Sequence, residues 1–337
     1  MTAAKRGGTP LEGSDTLRAT SGAGVVPGTG STPGAGIAPA PAPVEVLGLR
    51  LKSPVVVGSG LLTDQERNIR RLLDGGAGAV VTKTIHPSPG PPGNERLLRL
   101  ATGMLNSTTY SRRSVDDWCA MLRRFADDDL PVITSVHADS PAELADLAER
   151  VTEAGSSALE LGISCLNEGE GGLEDTPERV AAYTEAVRRR TSVPFSVKLA
   201  IGERVRERID AATASGADAL TLSDTISGLA VDADTGEVRL GGAFGYSGPG
   251  IKPLVLAEIF GLRRGGLTVP VMASGGVKDA TDVAEYLSVG ADAVQVYTVL
   301  HRNMHTTLRD IRQGFDDWLA SRGNTVADLV GRSIKGA

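Results

Sequence analysis

The chain has 337 residues, a formal net charge of −6 and a pI near 5.4, a mildly acidic balance that offers no basic footprint for nucleic acid. Two cysteines, Cys119 and Cys165, exclude a disulfide framework and suit a reducing compartment. No apolar run approaches the roughly 18–20 residues that span a bilayer, and the N-terminus lacks a charged-then-apolar signal pattern. A soluble, cytoplasmic protein with no membrane or nucleic-acid partner is expected.

Residues 1–43, including "GTPLEGSDTLRATSGAGVVPGTGSTPGAGIAPAPAP", are rich in Gly, Pro, Ser, Thr and Ala. They hold too little apolar surface to offset the entropy of ordering, which predicts a disordered tail. The folded part is then a single domain over residues 44–337. From residue 55 short apolar runs alternate with amphipathic stretches. The runs are VVVGSG (55–60), AVVTKT (79–84), PVITSV (131–136), ALELGISC (158–165), PFSVKLA (194–200), ALTLSDT (219–225), VPVMASGG (269–276) and AVQVYT (293–298). Each reads as a parallel strand covered on both faces. Helices are predicted over 140–155, 176–191 and 279–292. The first of these places Leu144, Leu147, Ala148 and Val151 on one face, with Pro141 in the first turn and Gly155 as the stop.

Eight strands alternating with helices over about 250 residues predict a (β/α)8 TIM barrel. An open doubly wound sheet is the alternative, but GSGLLT after the first strand lacks the GxGxxG pattern. The stretch 226–250 exceeds an ordinary βα loop. Its D-A-D-T-G turn predicts a small hairpin inserted over the C-terminal mouth of the barrel.

Chemistry in such a barrel occurs where the strands end. Those ends bring Ser59, Gly60, Lys83, Thr84, Cys165, Lys198, Asp224, Thr225, Gly275, Gly276, Tyr297 and Thr298 to one mouth. Lys83 and Lys198 sit among apolar neighbours, and a buried ammonium needs an anionic partner, so a ligand role is expected of at least one. The loops after the seventh and eighth strands are the usual phosphate site. There Gly275-Gly276 would let backbone N–H groups approach an anion, with a helix N-terminus behind them. His86, His137, His301 and His305 share no ligand spacing, so no metal is expected. Cys165 leaves a strand into a Gly-rich loop, a position suited to a general base. Cys119, beside Trp118, Leu122 and Phe125 on a helical pattern, reads as packing.

Together these segments resemble the FMN-dependent dihydroorotate dehydrogenases, and the pyrimidine-reducing domain of dihydropyrimidine dehydrogenase is similar. The resemblance runs in order through SPVVVGSGLLT, GAGAVVTKTI, GNERLLRLATGMLNS, ALELGISCLNEGEGG, VPFSVKLA, GADALTLSDTISG, SGPGIKPLVL and VPVMASGGVKDATDVAEYLSVGADAVQVYT. It implies FMN as cofactor, with Cys165 as the proton-transfer base of the soluble class. Lys83 would sit near flavin and substrate, and Lys198 would stabilise the reduced flavin. Ser59, Gly60, Thr84, Gly248, Gly275, Gly276, Tyr297 and Thr298 would hold the cofactor. Asn106, Ser107, Asn167, Asp224 and Thr225 would face the substrate.

The substrate side departs from the family pattern. Gly162 and Asp224 stand where asparagines are expected, and Leu166 replaces a proline. The expected function is therefore an FMN-dependent oxidoreductase acting across a CH–CH or C=C bond of a small ring or amide-bearing molecule other than orotate, in a specialised pathway. The alternatives are an orthodox dihydroorotate dehydrogenase of pyrimidine biosynthesis, a Schiff-base lyase using Lys83 or Lys198, and a flavoprotein that binds a partner without catalysis. The resemblance further implies a homodimer. With no four-cysteine pattern in the chain, any iron–sulfur centre would belong to a separate electron-transfer partner.

Overall fold

The computed structural model describes residues 44–88, 95–167 and 175–336; the expected tail over 1–43 lies outside these residues. The described chain enters through an antiparallel hairpin, β1 (Val44–Val46) and β2 (Leu49–Leu51), which the sequence reading did not anticipate. Val46, Leu47 and Leu51 are buried against Val56, Ala79, Ala158, Ala219 and Ala293. Small residues at the strand starts leave room for this plug. Each fully buried Val or Leu contributes roughly 1.5–3 kcal/mol, so the hairpin closes one end of the barrel by burial alone.

Eight parallel strands then close on themselves. They are β3 (Val55–Val57), β4 (Ala79–Val81), β7 (Val132–Val136), β8 (Leu159–Gly162), β9 (Phe195–Leu199), β10 (Ala219–Leu222), β13 (Val271–Ser274) and β14 (Ala293–Val296). Spatial order follows chain order, and β14 pairs with β3 to complete the barrel. This is the expected (β/α)8 barrel, each strand falling inside its predicted run.

The eight main helices, α1 (Glu66–Asp74), α2 (Val115–Asp127), α3 (Pro141–Glu153), α4 (Pro177–Arg188), α5 (Val205–Ala214), α6 (Lys252–Arg264), α7 (Ala280–Ser288) and α8 (Met304–Ala320), alternate with the strands. Their starts follow from local chemistry. The Ser140 hydroxyl accepts the Glu143 N–H and the Thr176 hydroxyl accepts the Arg179 N–H, each with proline in the first turn. Cys119 lies buried on α2 beside Trp118 and Leu122, as expected of a packing residue, and burial pushes its thiol up.

The insertion forms strands β11 (Ile226–Gly228) and β12 (Phe244–Ser247), as the turn signal predicted. These join a second hairpin, β5 (Leu97–Leu100) and β6 (Gly103–Asn106), in a four-stranded antiparallel sheet ordered β11-β12-β6-β5. The sequence reading left β5 and β6 unassigned. Their partner, β12, lies far along the chain, so nothing local announces the pairing.

The barrel interior is not apolar throughout. Above the plug, Glu160 is fully buried, accepting hydrogen bonds from the Thr221 hydroxyl (2.9 Å) and the Gln295 amide (2.6 Å). Such a buried carboxylate needs compensation, and Lys198 supplies it from 3.7 Å.

Candidate active site

One cleft opens at the strand ends, beside the four-stranded sheet. Ser59 and Gly60 follow β3, Lys83 and Thr84 follow β4, Cys165 and Asn167 follow β8, and Lys198 rises from β9. Asp224 and Thr225 follow β10, Gly275 follows β13, and Tyr297 follows β14; all of these line the cleft, as does Asn106 at the end of β6. Ser107, Gly248, Gly276 and Thr298 are not among the residues that line it.

The hydroxyls of Ser59, Thr84 and Ser135 form a chain across three strand ends, 3.2 and 3.0 Å apart. Tyr297 turns its ring over Gly60, where an added Cβ would overlap the ring. Its hydroxyl accepts the Leu62 N–H at 3.1 Å. Burial raises the Tyr297 pKa well above the ordinary tyrosine range, so the phenol stays protonated.

The two lysines differ. Lys83 is buried, and desolvation lowers its pKa despite the opposing fields of Glu95, Cys165 and Asp64. Lys198 experiences the same desolvation, but Asp224 at 3.6 Å and Glu160 at 3.7 Å outweigh it and hold its pKa above the ordinary lysine value. One ammonium is thus clamped between two carboxylates and the other is held mainly by its surroundings.

Asn106 and Asn167 meet each other. The Asn167 amide donates to Asn106 Oδ1 (3.1 Å) and to the Thr108 carbonyl (2.7 Å), while its Oδ1 accepts the Gly245 N–H (3.0 Å). Asn106 donates to the Gly245 carbonyl (3.1 Å). These two side chains therefore tie the Cys165 loop to β6 and β12. Both hydrogens of the Asn167 amide are engaged, leaving it no donor for a ligand. Ser107, rather than facing the cleft, accepts the Arg96 N–H at 3.0 Å.

Behind Gly275-Gly276 the chain enters α7 at Ala280, with Asp279 as its N-cap. Asp279 accepts the Thr281 and Asp282 N–H groups, and Asp282 accepts those of Lys278 and Asp279. The start of α7 is thus satisfied by its own carboxylates. What remains is a bare-backbone cradle. Gly276 has φ 76°, and a Cβ there would lie 2.7 Å from the Gly248 carbonyl. Only glycine fits that conformation and that gap.

Sequence reasoning missed His137. It lines the cleft, donates from Nδ1 to the Gly162 carbonyl at 2.9 Å, and stacks with Tyr110 at a centroid separation of 5.0 Å. That donation makes Nδ1 the protonated nitrogen of the neutral ring. His86, His137 and Asp139 also form a group whose ligand atoms lie within 4.8 Å of one another. His86 Nδ1 accepts the Ser88 N–H, while its buried Nε2 lies 3.4 Å from an Asp139 carboxylate oxygen and makes no hydrogen bond. Only the fold could reveal this proximity, since the two histidines come from different strand ends.

A cleft with a buried lysine, a second lysine held as an ammonium by two carboxylates, a thiol at its mouth and a backbone cradle at one end fits a flavin mononucleotide. The fold and this site define a barrel enzyme of the flavin oxidoreductase class. The profile of the dihydroorotate dehydrogenase family matches residues 42–319. A relative from Pyrococcus abyssi, named dihydroorotate dehydrogenase B (NAD(+)), catalytic subunit, is 32% identical over 300 residues, covering 87% of this chain and 99% of that protein. A protein of the same name from Methanosarcina mazei is 35% identical over 285 residues, covering 82% and 90%. This chain belongs to the dihydroorotate dehydrogenase family. It is an FMN-dependent oxidoreductase acting on CH–CH bonds, which sets aside the Schiff-base lyase and the non-catalytic flavoprotein. Among the described residues no helix is long and apolar enough to cross a membrane.

Proposed function

We propose that Cys165 moves a proton at one ring carbon while hydride leaves the neighbouring carbon, converting a CH–CH bond of a small ring amide to C=C. The observation that carries this reading is the presence of Cys165, Lys83 and Lys198 in one cleft. Bound FMN supplies the two-electron acceptor for the hydride. Cys165, partly exposed at the mouth, holds the proton. Lys198 keeps a fixed positive charge at the cleft floor, and Lys83 orients ligand from the β4 side. Ser59, Gly60, Thr84, Gly275 and Tyr297 shape the cofactor end, with Gly248, Gly276 and Thr298 supporting it. Asn106, Asn167, Asp224 and Thr225 surround the ring, and Ser107 holds the β5–β6 hairpin behind them.

The names of the curated relatives favour dihydroorotate as the substrate over the specialised-pathway molecule expected from the residues alone. A second reading, a ring other than orotate, is favoured by Gly162 and Asp224, which remove two amide partners from the cleft. Those names, "catalytic subunit" of an NAD(+) enzyme, also support a separate electron-transfer partner. A homodimer remains part of the proposal.

The test is an anaerobic flavin spectrum of the purified protein before and after dihydroorotate. Rapid bleaching supports the first reading, and a flavin that stays oxidised moves the proposal to the second. Protein that binds no flavin refutes both.

A further inference from the structure

Asp224 sits at the end of β10 with its side chain 38% exposed to the cleft. Its Oδ1 accepts the Thr225 N–H at 2.8 Å and lies 3.6 Å from the Lys198 ammonium, which Glu160 already approaches to 3.7 Å. Two carboxylates thus face one ammonium at the floor of the cleft. On the other side of β9, at the end of β8, Gly162 offers no side chain. A Cβ there would meet nothing closer than 3.8 Å, so the cleft keeps open space at this position. His137 flanks this gap with Nδ1 engaged by the Gly162 carbonyl. The Asn167 donors are directed into the protein, as is one of the two from Asn106. The asparagine amides are thus largely turned away from a ligand, while Asp224 offers the cleft a carboxylate that can accept from a ligand donor.

We infer that Asp224 is a specificity-determining residue, accepting a hydrogen bond from a ring N–H of an uncharged cyclic imide, lactam or ureide and weakening the binding of the same ring when it carries a carboxylate. The inference rests on the second reading above, a flavoenzyme whose ring is not orotate, and deepens its substrate side. An ionised carboxylate can only accept, so it rewards N–H and penalises a second anion. Its pairing with Lys198 adds to the penalty by neutralising the cation an anionic ligand would otherwise seek.

Uracil and orotate share one ring and differ by one carboxylate, which makes them the matched probes. Their dissociation constants are measured by titration calorimetry on full-length holoprotein, for the wild type, Asp224→Asn and Asp224→Ser. The wild type is expected to prefer uracil. Each substitution should shift the uracil-to-orotate affinity ratio toward orotate by at least tenfold, about 1.4 kcal/mol. A smaller shift in the folded variants, a wild type that prefers orotate, or binding of neither ring overturns the inference. Two variants of different size guard against loss of fold in one. The flavin spectrum of the same samples tests the underlying reading separately. A flavin-free wild type defeats that reading, whereas a flavin-bound protein with an unchanged ratio defeats only the role of Asp224.

Discussion

The two sides of the mouth are built from different materials. At β13, β14 and β3 the cleft is shaped by backbone and by absent side chains: Gly276 against the Gly248 carbonyl, and Gly60 beneath the Tyr297 ring. At β8 and β10 it is shaped by individual polar side chains, among them Cys165, Asn167 and Asp224. Such a cradle tolerates almost no substitution, because an added Cβ must displace the Gly248 carbonyl or the buried Tyr297 ring. Side-chain donors can be exchanged singly, each at the cost of one hydrogen bond. Chemistry toward a shared cofactor is therefore held by shape, while selectivity toward a ring can drift.

The largest expected effect separates the two sides by function. Cys165→Ala should slow substrate-driven flavin bleaching about 10²–10⁴-fold while leaving the flavin content of the protein unchanged, as read by anaerobic rapid mixing and by flavin per chain. Loss of flavin in that variant would show that the two sides are not separable.

Lys198→Met tests the one side chain shared by both sides. It strands Glu160 inside the barrel without its ammonium, and removing one partner of a buried pair costs about 3–5 kcal/mol. Urea unfolding should show the loss, and wild-type stability would mean that Glu160 is held adequately by Thr221 and Gln295.

Gly276→Ala should destabilise by about 1–3 kcal/mol through its left-handed φ and lower flavin retention in gel filtration, without moving the uracil-to-orotate ratio. The smallest effect is a control remote from the mouth. Ser140→Ala removes the N-cap of α3 and should cost about 1 kcal/mol by thermal unfolding, with flavin content and ligand ratio both intact.

Much of the fold is legible because its signals are local. The eight barrel strands are β-branched runs, and α3, α4 and α7 begin at Ser140, Thr176 and Asp279, whose caps can be read from adjacent residues. The β1–β2 plug and the β5–β6 hairpin escaped that reading. Each is stabilised by partners distant in sequence: barrel-interior alanines for the plug, and β12 for the hairpin. The site divides in the same way. Cys165, Lys83 and Lys198 stand out as polar residues ending apolar runs. His137 looks like any loop histidine until the barrel sets it beside Gly162.

The sequence by itself determined the barrel and the set of residues at the strand ends, because strand periodicity and the strand-end rule depend on neighbours along the chain; the cofactor class came through its resemblance to a known family. The tertiary structure alone decided how those residues are occupied. It clamps Lys198 between Glu160 and Asp224, turns the Asn167 amide inward, and satisfies the start of α7 with its own carboxylates. Hydrogen bonds and ion pairs form between whichever groups the fold brings within about 3–4 Å, and that proximity is set by barrel closure rather than by chain order.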